Sequence, residues 1–220
     1  MELNVLMVDD HPPIIEGYKA ILSCNTSGFT IKTVMAYSCE TAYTILTETT
    51  KPIVFDMVFM DITLPPFTDK NIHSGEDLVQ LVKKHHPLSK IVILTSHTES
   101  LLIYRILYEC KPDGLLIKSD FLSEEFLFAF DTILKGGKYY SATVKSQKHD
   151  LLSHHTLLDT YNRQIIILMS KGIKTKNLHE HINLSTSAIE KRKVIIKDYF
   201  GIKKGNDEDI LREVRKRGLL

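Results

Sequence analysis

The sequence predicts an α/β fold, a doubly wound five-stranded parallel sheet, followed by an all-α domain of four helices. Three observations predict it. Strand-like runs recur five times between residues 3 and 119, each separated from the next by a helical pattern. Several runs end in a carboxylate, a hydroxyl or a lysine rather than in turn residues. Charge then changes sign along the chain: residues 1–140 hold 12 Lys/Arg against 18 Asp/Glu, and residues 141–220 hold 16 against 9.

LNVLMV (3–8) is the first strand, because Val5, Leu6, Met7 and Val8 suit a strand buried on both faces. IEGYKAILSC (15–24) is a helix with Ile15, Tyr18 and Leu22 on one stripe. FTIKTVMAY (29–37) is the second strand and CETAYTILTET (39–49) the second helix. FDMVFMD (55–61) is the third strand, and SGEDLVQLVKKHH (74–86) turns Leu78, Leu81 and Val82 to one side. KIVILTS (90–96), a helix near 99–109, DGLLIKS (113–119) and SEEFLFAFDTILKGG (123–137) complete the series. Leu122, Ser123 and Glu124 form that last helix's entry, and Gly136-Gly137 its exit. Pro52, Pro87 and Pro112 fall between a helix and the next strand, where they interrupt no ladder.

Residues 141–156 are polar and without period, and read as a linker between a domain at 1–140 and one at 157–220. The second domain's helices are placed at 160–172, with Gly172 as stop, then 174–183, 185–201 and 207–217. Asn206 caps the last and Gly218 ends it. Two short helices joined by a brief turn, the second rich in base, form a helix-turn-helix pattern. Between 171 and 204, nine Lys/Arg face three acidic residues. Ser185, Thr186 and Ser187 open the third helix with groups suited to a phosphate or a cap. Lys191, Arg192, Lys193 and Lys197 follow, and Ala188, Ile189 and Ile196 turn to the core. Such a helix fits a DNA major groove.

Other classes are excluded by what is missing. Cys24, Cys39 and Cys110 form no close pair and read as small buried hydrophobes of a reducing compartment. No secretory leader or long apolar span is present, so a cytoplasmic protein is expected, with no membrane contact. His149, His154 and His155 lack the cysteine or carboxylate partners of a zinc site. His85-His86 suits a helix end, and His11 a loop.

In a parallel sheet, chemistry gathers beyond the carboxyl ends of the strands. Here those ends carry Asp9-Asp10, Asp61, Thr95-Ser96 and Lys118. Three carboxylates on one edge raise one another's pKa and oppose folding. A hard divalent cation resolves the conflict, and an all-oxygen set suits Mg2+ beside a phosphoryl group. Asp61 then acts as nucleophile, forming an acyl phosphate. Lys118, from the neighbouring strand, neutralises the phosphoryl oxygens, and Thr95 donates a hydroxyl hydrogen bond to them.

VLMVDDHP, FDMVFMDITLP, ILTS and DGLLIKSD together resemble the receiver domain of two-component response regulators, over residues 3 to about 138. The resemblance implies that Asp61 accepts phosphate from a histidine kinase. It implies that Asp10 binds magnesium directly, that Asp9 assists, and that the Thr63 backbone carbonyl completes the protein ligands. Thr95 and Lys118 would read the phosphorylated state. Two departures stand out. Leu115 occupies the place of the usual aromatic or histidine, and it has no ring or hydroxyl to swing toward Thr95. The loop PPFTDKNIHSG (65–75) is longer than the common one, with Asp69, Lys70, Asn71 and His73 expected on its surface.

RQIIILMSKGIKTKNLHEHINLSTSAIEKRKVIIKDYFG resembles the LuxR/NarL-type DNA-binding domain, over about 160–220. By that resemblance Thr186, Glu190, Lys191 and Lys193 face the groove from the 185–200 recognition helix, and Lys176 and Lys197 meet phosphates. Ala188, Arg192 and Asn177 replace the usual threonine, histidine and glutamate. The two resemblances imply a phosphorylation-controlled regulator of transcription that binds double-stranded promoter DNA as a homodimer. It would be a phosphoacceptor rather than an enzyme. Two alternatives stay open on the residues: a phosphorylation-independent DNA-binding regulator, and a receiver-led module for protein or RNA.

Overall fold

A computed structural model describes residues 2–48, 50, 52–147, 159–217 and 219–220. The backbone separates into two compact units, Met1–His97 with Arg105–Lys145, and Thr98–Tyr104 with Ser146–Leu220. No helix among the described residues is long and apolar enough to cross a membrane.

The first unit is built on strands β1 (Glu2–Val8), β2 (Thr30–Ala36), β3 (Met57–Asp61), β4 (Lys90–Thr95) and β5 (Gly114–Ile117). Between and after them run helices α1 (Pro12–Ser23), α2 (Cys39–Thr47), α3 (Gly75–His85) and α5 (Ser123–Leu134), while α4 (Ser100–Arg105), which follows β4 in the chain, falls in the second unit up to Tyr104. All pairings are parallel and the order is β2-β1-β3-β4-β5, which confirms the predicted sheet. A sixth strand, β6 (Tyr139–Tyr140), was not foreseen; its two residues pair with Gly114 and Leu115. The helix expected near 99–109 is α only to Arg105 and widens into a π-turn over Ile106–Cys110.

Side-chain alternation explains why the central strands are apolar on both faces, while the edge strand β2 keeps Thr30, Lys32 and Thr33. Leu3, Val5, Met7, Met57, Phe59, Val92, Leu94 and Leu116 point to one face, beneath Ile15 and Leu22 of α1 and Phe126, Phe130 and Ile133 of α5. Residues of the other parity, such as Leu6, Val58, Met60 and Ile93, are equally buried on the face that α2 and α3 adjoin. Burying a side chain of this kind contributes about 1.5–3 kcal/mol, so the sheet leaves little freedom in register.

Ser38 caps α2 by accepting from the Thr41 amide. The 65–75 loop closes on itself through an antiparallel bridge between Phe67 and Ile72. Ile72 is buried, while Asp69, Lys70, Asn71 and His73 are exposed as expected. Cys39 and Cys110 are buried, and burial pushes their thiols up to about 11 and about 12. Cys24 corrects the expectation: it is exposed, because it follows α1 and its amide closes that helix on Ile21 O and Leu22 O.

The second unit contains α6 (Thr160–Ser170), α7 (Thr186–Phe200) and α8 (Asp207–Lys216). The helix predicted at 174–183 is instead a 3-10 turn over Thr175–Glu180, held by buried Leu178. Gly172 adopts φ +81, the left-handed conformation that ends α6. Ser185 and Asn206 cap α7 and α8 by accepting from the Ala188 and Asp209 amides. Ile165, Ile166, Leu178, Ile189, Ile196, Phe200, Ile210 and Val214 form the core. Part of the expected linker is helical, at 142–147. The three histidines at 149, 154 and 155 and the Gly218 stop lie outside the described residues.

Candidate functional site

The sheet reverses strand order at β1, between β2 and β3, so a crevice opens beyond the carboxyl ends of β1 and β3. Asp9 follows β1, and Asp61 is the last residue of β3. Both are nearly buried, at 3% and 5% exposure. Lys118 joins them: its Nζ lies 2.7 Å from Asp9 Oδ2 and 2.6 Å from Asp61 Oδ2.

This lysine does not come from a neighbouring strand, as the sequence suggested. It follows β5, which β4 separates from β3. Only a long side chain spans that distance, which is a physical reason for lysine here. Burial pulls its pKa down, but the hydrogen bonds to Asp61 and Asp9 outweigh burial and hold the ammonium above its ordinary value. The cation therefore persists at any physiological pH.

Thr95, at the end of β4, is fully buried, and its Oγ1 accepts from the His97 amide at 3.1 Å. The Thr63 amide donates to Asp61 Oδ1 at 3.1 Å, fixing the carboxylate's second oxygen. Behind the edge, Tyr18 of α1 stacks on Phe126 at 4.8 Å. Burial pushes the Tyr18 hydroxyl up to about 12 although Lys118 opposes the shift, so it stays neutral.

The acidic pair has a third member that the sequence left in a loop. His11 Nδ1 lies 2.7 Å from Asp10 Oδ1 and 3.3 Å from Asp9 Oδ1, and its amide donates to Asp9 Oδ1. Asp9, Asp10 and His11 thus form a group whose ligand atoms lie within 4.8 Å of one another. Asp61 is tied to this group through Lys118 rather than directly. Asp10 Oδ1 is buried and accepts no hydrogen bond, despite the imidazole beside it. A buried carboxylate oxygen with an imidazole nitrogen as its ion-pair partner and a second carboxylate alongside is a donor set that fits a hard cation.

Two further residues were missed. His97 Nε2 lies 3.1 Å from Thr63 Oγ1, linking the ends of β3 and β4. Gly75 opens α3 directly against Asp61, and its amide donates to Ile62 O. A glycine at a helix's first turn, where better formers are available, was the one signal in the sequence.

Comparison with known proteins decides what this edge belongs to. The family described as the response regulator receiver domain matches residues 5–121. The chain belongs to the response regulator family. It carries a receiver domain followed by a helical unit with the fold of the LuxR/NarL-type helix-turn-helix domain. Receiver domains of this family are phosphoacceptors rather than enzymes, with slow loss of their own phosphate. The transcriptional regulatory protein MctR of Rhizobium johnstonii is 26% identical over 91% of this chain and 88% of its own. A two-component response regulator of the LuxR family from Aurantimonas is 26% identical, with TM-score 0.54 over 68% of this chain and 97% of that one. RcsB from Salmonella enterica serovar Typhimurium, bound to the promoter P1flhDC with phosphomimetic BeF3-, is similar in fold. Its TM-score is 0.64 at 17% identity, over 96% of this chain and 97% of that one.

In the helical unit the predicted DNA-contacting residues divide. Thr186, Glu190, Lys191 and Lys176 are exposed, and Lys197 is half-buried. Lys193 corrects the prediction. It is 7% exposed and turns inward to Asp207 at 2.7 Å and Thr175 Oγ1 at 3.0 Å. Its position, four after Ile189 and three before Ile196, puts it on the buried stripe of α7. Arg192 lies over the Tyr161 ring at 4.8 Å and pairs with Asp159 at the start of α6.

The Lys193–Asp207 pair carries a pH dependence. Burial raises Asp207, but its bonds to Lys193 and Thr175 prevail and hold it below the usual carboxylate value. A depressed carboxylate stabilises the fold above its unfolded pKa of about 3.9 and loses that contribution as pH falls through the folded value. Thermal unfolding from pH 6 to pH 2 is expected to show this loss in the parent and a flatter profile in Asp207→Asn. Identical profiles would remove the pair as a source of stability.

Proposed function

We propose that Asp61 accepts a phosphoryl group from a histidine kinase and that the phosphorylated chain binds promoter DNA as a homodimer. The observation that carries this reading is the ammonium of Lys118 held between Asp61 and Asp9. An Asp61 oxygen attacks phosphorus, the bond from phosphorus to the kinase imidazole nitrogen breaks, and that nitrogen keeps the electron pair. Lys118 and the Thr95 hydroxyl meet the phosphoryl oxygens as charge gathers there. Asp9 and Asp10 are the residues that would hold Mg2+, with Asp61 and the Thr63 carbonyl as further ligands. Bound magnesium supplies neutralisation of the incoming oxygens.

The phosphoacceptor domain is proposed to span 1–140 and the DNA-binding domain 157–220, with 141–156 between them. Thr186, Glu190 and Lys191 face the groove, and Lys176 and Lys197 meet phosphates. One small helical domain offers modest contact, so two on paired half-sites are the route to useful affinity. RcsB, similar in fold, has been seen on promoter DNA in the presence of a phosphate mimic, which supports the DNA-binding part of this reading. Selection from a random duplex library, with and without acetyl phosphate and magnesium, is expected to yield a two-half-site motif, enriched when phosphodonor is present. Equal enrichment without donor would remove the phosphate dependence.

A further inference from the structure

We infer that Val194 reads the C5-methyl group of a thymine in the major groove, an inference that rests on the DNA-binding reading above. Helix α7 buries Ile189, Lys193, Ile196 and Phe200, so Ser187, Lys191, Val194 and Asp198 fall along the opposite side. On that outer side Val194 is 57% exposed and Ile195, beside it, is 50% exposed.

Local energetics do not favour these residues there. A β-branched side chain on a solvated helix loses χ1 freedom, and lysine, glutamate or glutamine serves better. On the same side Lys191 is exposed one turn earlier, and Glu190 and Asp198 are exposed four residues before and after Val194, so charge alone does not select the partner. The DNA-binding reading of this helix supplies a partner that presents an apolar group to an exposed aliphatic side chain. The major groove of DNA presents one such group, the thymine methyl, among its hydrogen-bonding edges. RNA does not match, because uracil lacks the methyl and the A-form major groove is closed to side chains.

The test uses the full-length chain with acetyl phosphate and magnesium. Each thymine of a library-selected duplex is replaced in turn by deoxyuridine, which removes the methyl alone. At one thymine per half-site the parent is expected to lose about fourfold in affinity, the value of one methyl-sized group removed from water. Val194→Ala is expected to bind the thymine duplex about fourfold more weakly and to ignore the same replacement. If the parent binds every deoxyuridine duplex equally, or Val194→Ala keeps the full sensitivity, Val194 is not the reader and DNA binding still stands. If no duplex is selected at all, the DNA-binding reading fails and this inference with it.

Discussion

Asp61→Asn is expected to abolish incorporation of phosphate from acetyl phosphate and magnesium, where the parent labels stoichiometrically. The amide has nearly the shape of the carboxylate. Its carbonyl oxygen can still accept from the Thr63 amide, which bonds Asp61 Oδ1 in the parent. What it lacks is the charge and lone-pair reactivity needed to attack phosphorus. The loss is therefore chemical, and circular dichroism of the variant should match the parent. Chelation of magnesium is expected to suppress parental labelling to the same background, and acid-labile, base-labile phosphate should mark the acyl bond. Labelling of Asp61→Asn at the parental level would move the acceptor elsewhere, with Asp9 and Asp10 as the nearest carboxylates.

Gly75→Ala should lower the stability of the first unit by about 3 kcal/mol or more, at the upper end of overpacking costs. A Cβ at Gly75 would stand 1.9 Å from the Asp61 carbonyl oxygen, 2.9 Å from its carbon and 3.1 Å from Ile62 Cα. All three are backbone atoms, so no rotamer change makes room. Either α3 withdraws or the end of β3 shifts, and the second response displaces the acceptor itself. Urea midpoints would measure the loss, and hydrogen exchange should place the new opening at β3 and α3. An unfolding free energy within about 0.5 kcal/mol of the parent would show that α3 moves at little cost.

Strands β1, β3, β4 and β5 and their reactive ends were legible because each is an apolar run buried on both faces whose end breaks the pattern with a functional group. Strand β2, at the sheet edge, is only partly buried and carries no such end. Strand β6 was not legible, since Tyr139-Tyr140 is too short to carry a period. Strand order was also hidden: adjacency in sequence does not say that β4 lies between Asp61 and Lys118. In the helical unit, reading Lys191, Arg192 and Lys193 as one basic run hid the helical phase. Counting from Ile189 and Ile196 would have turned Lys193 inward, with its charge met by Asp207 across the unit. His11 was visible as the residue after the acidic pair, but that its imidazole turns back onto both carboxylates depends on the turn after β1.

The reach of Lys118 has a mechanical consequence. Its ammonium spans two acidic residues while its own amide is fastened to Thr95 O at 2.7 Å. In the proposed phosphorylated state the ammonium trades a carboxylate for the newcomer's oxygen. That exchange of grip pulls on a side chain anchored to the last residue of β4. Leu115 is fully buried in place of the usual ring, so in that proposed state Lys118 is the contact that joins the tip of β3 to the ends of β4 and β5.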